Sequence, residues 1–111
     1  MREVRLLGSR AQVLRAEWPQ TRRERMRGWR GRSAVGPGDV LLLDRARSIN
    51  TFGMCLPISV ALLDRELVVR SVRAVRPGRL LLHRPRIRHV LECGEGVDLR
   101  PGDRLRIAGG S

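Results

Sequence analysis

Short apolar runs separated by Pro-Gly pairs set the pattern of this chain. Pro37-Gly38, Pro77-Gly78 and Pro101-Gly102 each lie between runs rich in Val, Leu or Ile. In such a pair Pro supplies the fixed φ of the second turn position and Gly the positive φ of the third, which is how hairpins and meanders are punctuated. The runs between turn signals predict strands over 11–16, 39–43, 49–54, 59–63, 67–75, 80–83, 87–93 and 104–107. The last alternates cleanly, with Arg104 and Arg106 outward and Leu105 and Ile107 inward, as a half-buried strand does. Asp64-Arg65-Glu66, between two apolar runs, predicts a tight hairpin connection although it lacks Gly. The segment 67–75 shows no strict alternation, which leaves its faces unassigned.

One short helix is predicted. Thr21-Arg22-Arg23-Glu24 forms a capping box, in which the Thr21 hydroxyl accepts from the Glu24 amide and the Glu24 carboxylate reaches back. Pro19 precedes it, Gly28 weakens its far end, and Met26 and Trp29, three apart, share a face. There is no repeat of domain size and no low-complexity linker, and the tail from 109 to 111 is expected to fray. These elements together predict a mainly β fold spanning 1–111 as a single domain. The expected form is a compact β-barrel or jelly-roll-like sandwich of about eight short strands, closed to hide its edges, with one short N-terminal helix.

Composition supports one modest core. The chain has 111 residues and is 41% hydrophobic, mostly Leu, Val and Ala, with Trp18, Trp29 and Phe52 its only aromatics. A chain of this length buries roughly two-thirds of its unfolded surface and folds without disulfides or metals. All 23 basic residues are Arg, against 11 acids, for a net charge of +12. Exclusive use of Arg matches the codon bias of a GC-rich genome, but that bias does not account for so few acids. Loose association with polyanions follows from the charge alone. Residues 1–18 show no secretory h-region, and the longest apolar runs fall far short of the ~20 residues of a membrane helix. Cys55 and Cys93 form no Cys-x-x-Cys pair and suit free thiols in a reducing compartment, so a cytoplasmic protein is expected.

The order of residues between 49 and 64 is the most distinctive in the chain. Ile49, Thr51, Phe52, Gly53, Met54, Pro57, Ile58 and Val60 resemble the central motif of a prokaryotic family, number 192 among domains of unknown function. That family is also described as an uncharacterised ancient conserved region. Glu24-Arg25, Arg27-Gly28, Val90-Leu91-Glu92 and the Gly102-Asp103 turn are similar to its flanking segments, so the resemblance covers about 21–107. It implies a small β-rich, jelly-roll-like domain and no settled activity. Where many members have His, a basic residue and Asp, this chain has Asn50, Cys55 and Ser59. Asn carries no basic nitrogen, and Ser without a neighbouring base is a poor nucleophile. The resemblance therefore implies a motif patch of Asn50, Thr51, Phe52, Met54, Pro57, Ser59 and Glu92 in which any chemistry of the family is lost or altered.

Other chemistry is thinly represented. His83 and His89 lie six apart with Pro85 between them, and Glu92 and Cys93, the nearest further ligands, point to opposite faces of a strand. Histidines that face solvent or accept hydrogen bonds are expected there, with no metal. Glu92 interrupts an apolar strand, either as a site acid or, the favoured reading, as the ion-pair partner of an arginine. Ser48, Ser59, Cys55 and Cys93 sit in no nucleophile frame, no phosphate loop exists without Lys, and no dinucleotide fingerprint occurs, so no cofactor is expected. Arginines crowd the predicted helix, with Arg23, Arg27 and Arg30 on one stripe, and a second group comprises Arg79, Arg84, Arg86 and Arg88. Three functions result. The first is a non-enzymatic domain acting through ligand or partner binding. The alternative is a polyanion- or nucleic-acid-binding module using Arg23, Arg27 and Arg30, and the third is an altered enzyme.

Overall fold

The structure is a computed structural model that describes residues 1–29, 35–46, 48–50, 57–82 and 85–110, with the backbone alone at 48–50, 80–82 and 109–110. In chain order the elements are β1 (Arg2–Gly8), β2 (Val13–Trp18), α1 (Arg22–Arg27), β3 (Val40–Leu43), β4 (Ser48–Asn50), β5 (Ile58–Leu63), β6 (Val69–Val75), β7 (Leu80–Leu82), β8 (His89–Cys93) and β9 (Leu105–Gly110). Seven strands form one sheet in the order β6-β5-β8-β3-β2-β1-β9, and β4 pairs with β7 apart from it. Every described pairing is antiparallel except β2 with β3. The fold is mainly β, as predicted.

The sheet curls on itself because its inner face is apolar in all seven strands. Val4, Leu6, Ala16, Val40, Leu42, Ala61, Leu63, Val69, Leu91, Cys93 and Leu105 form one buried cluster with Leu99. The curl closes at a single point, the antiparallel bridge of Val68 with Arg104. There Val69 N–H donates to the Asp103 carbonyl at 2.8 Å and Leu105 N–H to the Leu67 carbonyl at 2.9 Å. The result is a half-barrel with one short seam rather than a continuous ladder.

Strand β1 is absent from the predicted set, although its code is plain. Buried Val4 and Leu6 alternate with exposed Glu3 and Arg5, the period-2 pattern of a half-buried strand. The predicted strand at 11–16 begins later, at Val13, because residues 8–12 form the β1–β2 turn, in which Gly8 N–H donates to the Gln12 carbonyl at 2.8 Å. The irregular faces of 67–75 have a physical cause. A bulge between Leu62 and Leu63 in the β5–β6 ladder adds one residue, so Val69 joins the inner cluster while Val75 packs on the outer face.

Local chemistry explains the turns. Gly38, Gly78 and Gly102 have φ of 80°, 77° and 96°, the conformation that the Pro-Gly pairs predict. The β5–β6 tip manages without Gly because Asp64 Oδ1 accepts from the Glu66 and Val68 amides at 2.9 and 3.1 Å, holding Leu67 at φ 62°. Helix α1 carries the full predicted cap. Glu24 N–H donates to Thr21 Oγ1 at 3.1 Å and Thr21 N–H to Glu24 Oε1 at 3.2 Å.

The outer face of the sheet divides into two halves. Over β3, β8 and β5 a second cluster of Trp29, Leu41, Ala46, Ile58, Val60, Leu62, Val75, Ile87 and Val90 keeps the wall dry. Trp29 is 1% exposed, and its indole donates to Glu17 Oε2 at 3.1 Å. Over β2, β1 and β9 the outer wall carries exposed Glu3, Arg5, Arg15 and Arg106. No helix among the described residues is long and apolar enough to cross a membrane.

Candidate functional site

The motif patch divides between locations. Asn50 ends β4, opposite Leu80 of β7, whereas Thr51, Phe52 and Met54 lie outside the described residues. Pro57 is exposed just before β5. Ser59 stands opposite Cys93 in the β5–β8 register, and Glu92 stands opposite Val60. Successive residues of a strand face opposite sides, so Ser59 faces inward with Cys93 while Glu92 faces outward. Glu92 is 6% exposed and sits in the row Leu41–Glu92–Val60 beneath the outer cluster. The sheet thus separates Ser59 from Glu92, and these two cannot meet one substrate atom.

The remaining nucleophile and base candidates are quiet. Burial, aided by the charge of Glu92, pushes the Cys93 thiol up to about 12, so it stays protonated near neutrality. His89 Nδ1 accepts from the Arg45 amide at 3.0 Å. Burial, reinforced by Arg88 and Arg45, outweighs the pull of Asp44 and Asp64 and holds His89 below the usual imidazole range. His83, Cys55, Arg30 and Arg84 lie outside the described residues. Among the described residues no group of three His, Cys, Asp or Glu side chains could hold a metal ion.

Several acids are committed to structure. Asp103, 4% exposed, accepts from Arg10 Nε and Nη2 at 2.7 and 2.8 Å, from Gln12 at 2.9 Å and from the Arg100 amide at 2.8 Å. The Arg10 hydrogen bond, with these amides, overrides burial and brings the carboxyl down to about 2. Asp44 receives the Trp18 indole at 2.9 Å and Arg25 Nη1 at 2.8 Å. Burial alone would raise Asp44, but the Trp18 bond and the arginine charges hold it below the carboxylate range. Asp64 is lowered in the same way: burial opposes, and the Val68 amide, Arg70 and the Glu66 amide prevail.

A groove of about 840 Å³ opens where the bare half of the outer wall turns round the β9 edge to its inner side. It runs beside the β1–β2 turn and along β9, lined by Leu7, Val13, Leu67, Ile107, Arg104 and Arg106 among others. Leu7 stands opposite both Val13 and Arg106, which places the three in one row. Val13 is 67% exposed and Ile107 40%, so Ile107 is less inward than its alternation predicts. Glu66, the groove's acid, is held by Arg104 at 2.9 Å. Arg106 makes no ion pair among the described residues, nor do Arg5 and Arg15, which stand directly opposite each other. Like charges so placed repel, relieved only by Glu3 and Glu17 on the diagonals.

On α1, Arg23 and Arg27 are exposed and make no side-chain hydrogen bond or ion pair among the described residues, whereas Arg25 of the same helix turns in to Asp44. Arg23 and Arg27 thus stand one turn apart on α1, and Arg30, the third residue of the predicted stripe, lies outside the described residues. The groove residues Leu7, Val13 and Arg106 are missing from the sequence-derived site set. Their signal was the alternation of 2–8, and without β1 the wall they share does not exist.

Comparisons with known proteins agree with the fold. The DUF192 family, described as Uncharacterized ACR, matches residues 4–107, a span that takes in β1 as well as the predicted 21–107. The chain therefore belongs to this family. A solved structure from Sinorhizobium meliloti 1021, described as a candidate transcription regulator, superposes with a TM-score of 0.77 at 22% identity, covering 96% of this chain and 92% of that one. A protein of unknown function from Novosphingobium aromaticivorans DSM 12444 superposes with a TM-score of 0.75 at 20% identity, covering 94% and 83%. No curated protein is significantly similar to the chain.

Proposed function

We propose that this DUF192 domain is a non-enzymatic cytoplasmic module that binds a partner or ligand through the groove on its outer wall. The observation that carries this reading is the groove itself. It pairs an apolar floor of Leu7 and Val13 with Arg106, which makes no ion pair among the described residues, and its described lining sets no nucleophile beside a base. A concave apolar site with a few convergent polar groups is the usual form of a binding site. Asn50 and Ser59 in place of a motif His and Asp, on this reading, mark an activity that the chain does not perform, and the buried, protonated Cys93 suits a reducing compartment.

The test is a titration of the isotopically labelled chain with dodecanoate, a simple amphipathic anion, followed through its backbone amide signals. Saturable shifts confined to residues 7–13 and 104–107 are expected. Shifts clustered on β4 and β5, or turnover of an ester or phosphoester substrate that Ser59→Ala abolishes, would overturn the reading.

A second reading has its own observation. Arg23 and Arg27 project from α1 into solvent, and a net charge of +12 draws polyanions to any such stripe. On this reading the partner is a nucleic acid or another polyanion, bound in a salt-sensitive way. A DNA oligonucleotide that shifts 22–28 in preference to β9 would favour it.

A further inference from the structure

The β9 edge carries unused main-chain hydrogen-bonding groups beside the groove. Within the seam the Arg104 carbonyl accepts from Ser9 N–H of the β1 side, while Leu105 N–H donates the other way, to Leu67. Antiparallel alternation then turns the Ile107 amide and carbonyl away from β1. The tip that meets Leu105 leaves before it reaches them, because Leu67 N–H bonds back to the Asp64 carbonyl at 3.0 Å with φ at 62°. Outside its pairing with β1, no backbone hydrogen bond reaches Ile107 among the described residues.

Side chains at this edge alternate in character. Ile107, opposite Leu6, faces the inner side and is 40% exposed. Arg104 and Arg106 face the outer side, and the nearby Arg5 and Arg15 make no ion pair among the described residues. Edge strands usually carry charge, Pro or a bulge against unwanted pairing. Here the bulge falls only beyond Ile107, between the pairs Leu6–Ile107 and Arg5–Gly109, so the stretch along the groove stays straight.

We propose that the β9 edge takes an extended acidic segment of a partner protein by strand addition, its acidic side chains beside Arg104 and Arg106 and its apolar ones beside Ile107. This rests on the groove as the binding site. Main-chain pairing gives such a contact its affinity, and alternate side chains give its specificity. Charge decides against a second copy, since two chains of +12 would set arginine against arginine. A nucleic acid would meet the arginines and leave the Ile107 main chain unmatched.

The probe is a blocked peptide of alternating Glu and Val, compared with the same peptide N-methylated on the amides that would face β9. Saturable binding with slowed hydrogen exchange at the Ile107 amide is expected, and N-methylation should weaken it about tenfold. Arg106→Glu, at an exposed position, should weaken binding several-fold without changing the fold. Equal affinity for the two peptides, or a DNA oligonucleotide that binds β9 more tightly than the peptide, overturns the proposal. If dodecanoate shifts the groove signals while the peptide does not, strand addition fails and the groove reading stands. If neither does, both fail.

Discussion

The two halves of the outer wall are made by the same sheet and meet opposite fates. Over β3, β8 and β5 the wall is covered: Trp29 lies 1% exposed on Leu41, Val60 and Val90. Over β2, β1 and β9 nothing of the described chain covers Leu7, Val13 or Arg106. Residue type alone does not separate the halves, because each mixes aliphatics with charge. What separates them is satisfaction. On the covered side Arg25 is bound to Asp44, and at the closing corner Arg10 is bound to Asp103, whereas Arg5, Arg15 and Arg106 make no ion pair among the described residues.

Breaking the covered half should have the largest effect. Trp29→Ala removes the biggest buried side chain and should destabilise the domain by about 3–5 kcal/mol in denaturant unfolding. Val13→Ala on the bare half should stay within about 0.5 kcal/mol of the parent. Comparable losses at the two positions would mean that the bare wall is structural after all.

The closing corner comes next. Asp103→Asn keeps the shape and removes the charge that Arg10, Gln12 and the Arg100 amide share, for a loss of about 2–3 kcal/mol. The pH dependence has a definite sign. Asp103 titrates near 2 in the folded chain against the ordinary 3.8, so between those values the folded state binds fewer protons than the unfolded. Its contribution is complete above about pH 4 and is lost as pH falls toward 2. Asp103→Asn should flatten the unfolding midpoint across that window, and an unchanged acid slope would show that Arg10 does not hold the carboxylate.

A smaller loss than at Asp103 is expected at the helix. Thr21→Ala removes the acceptor of the Glu24 amide and should cost about 1 kcal/mol. An unchanged midpoint would show that the cap contributes nothing to the stability of the domain.

Local rules carried most of the fold. The capping box at Thr21 and Glu24, the Pro-Gly turns and the alternation of 104–107 each rest on neighbours a few residues apart, and the chain spells such neighbours out. Legibility ended where a residue's role is set by distant partners. That Ser59 and Glu92 face opposite sides depends on β5 lying beside β8, and that Arg10 belongs to Asp103 depends on the barrel closing at Val68 and Arg104. The bulge that turns Val69 inward and Val75 outward likewise disguised the period of β6. The groove was hidden for a plainer reason: Val4 and Leu6 alternate with Glu3 and Arg5 as a strand should, but a run so rich in charge at the head of the chain lacks the Pro-Gly signals that punctuate the later strands.

The central claim, that the bare half of the wall is the binding surface, is tested most directly by two variants of equal charge. One replaces Arg5, Arg15 and Arg106 by Gln, the other Arg23, Arg27 and Arg30. Both lose three positive charges, so non-specific attraction falls equally in the two. Dissociation constants for the Glu-Val peptide at physiological salt should rise about tenfold or more in the first variant and change little in the second. Equal losses, or a larger loss in the helix variant, would contradict the account and leave the groove a feature of the fold without a binding role.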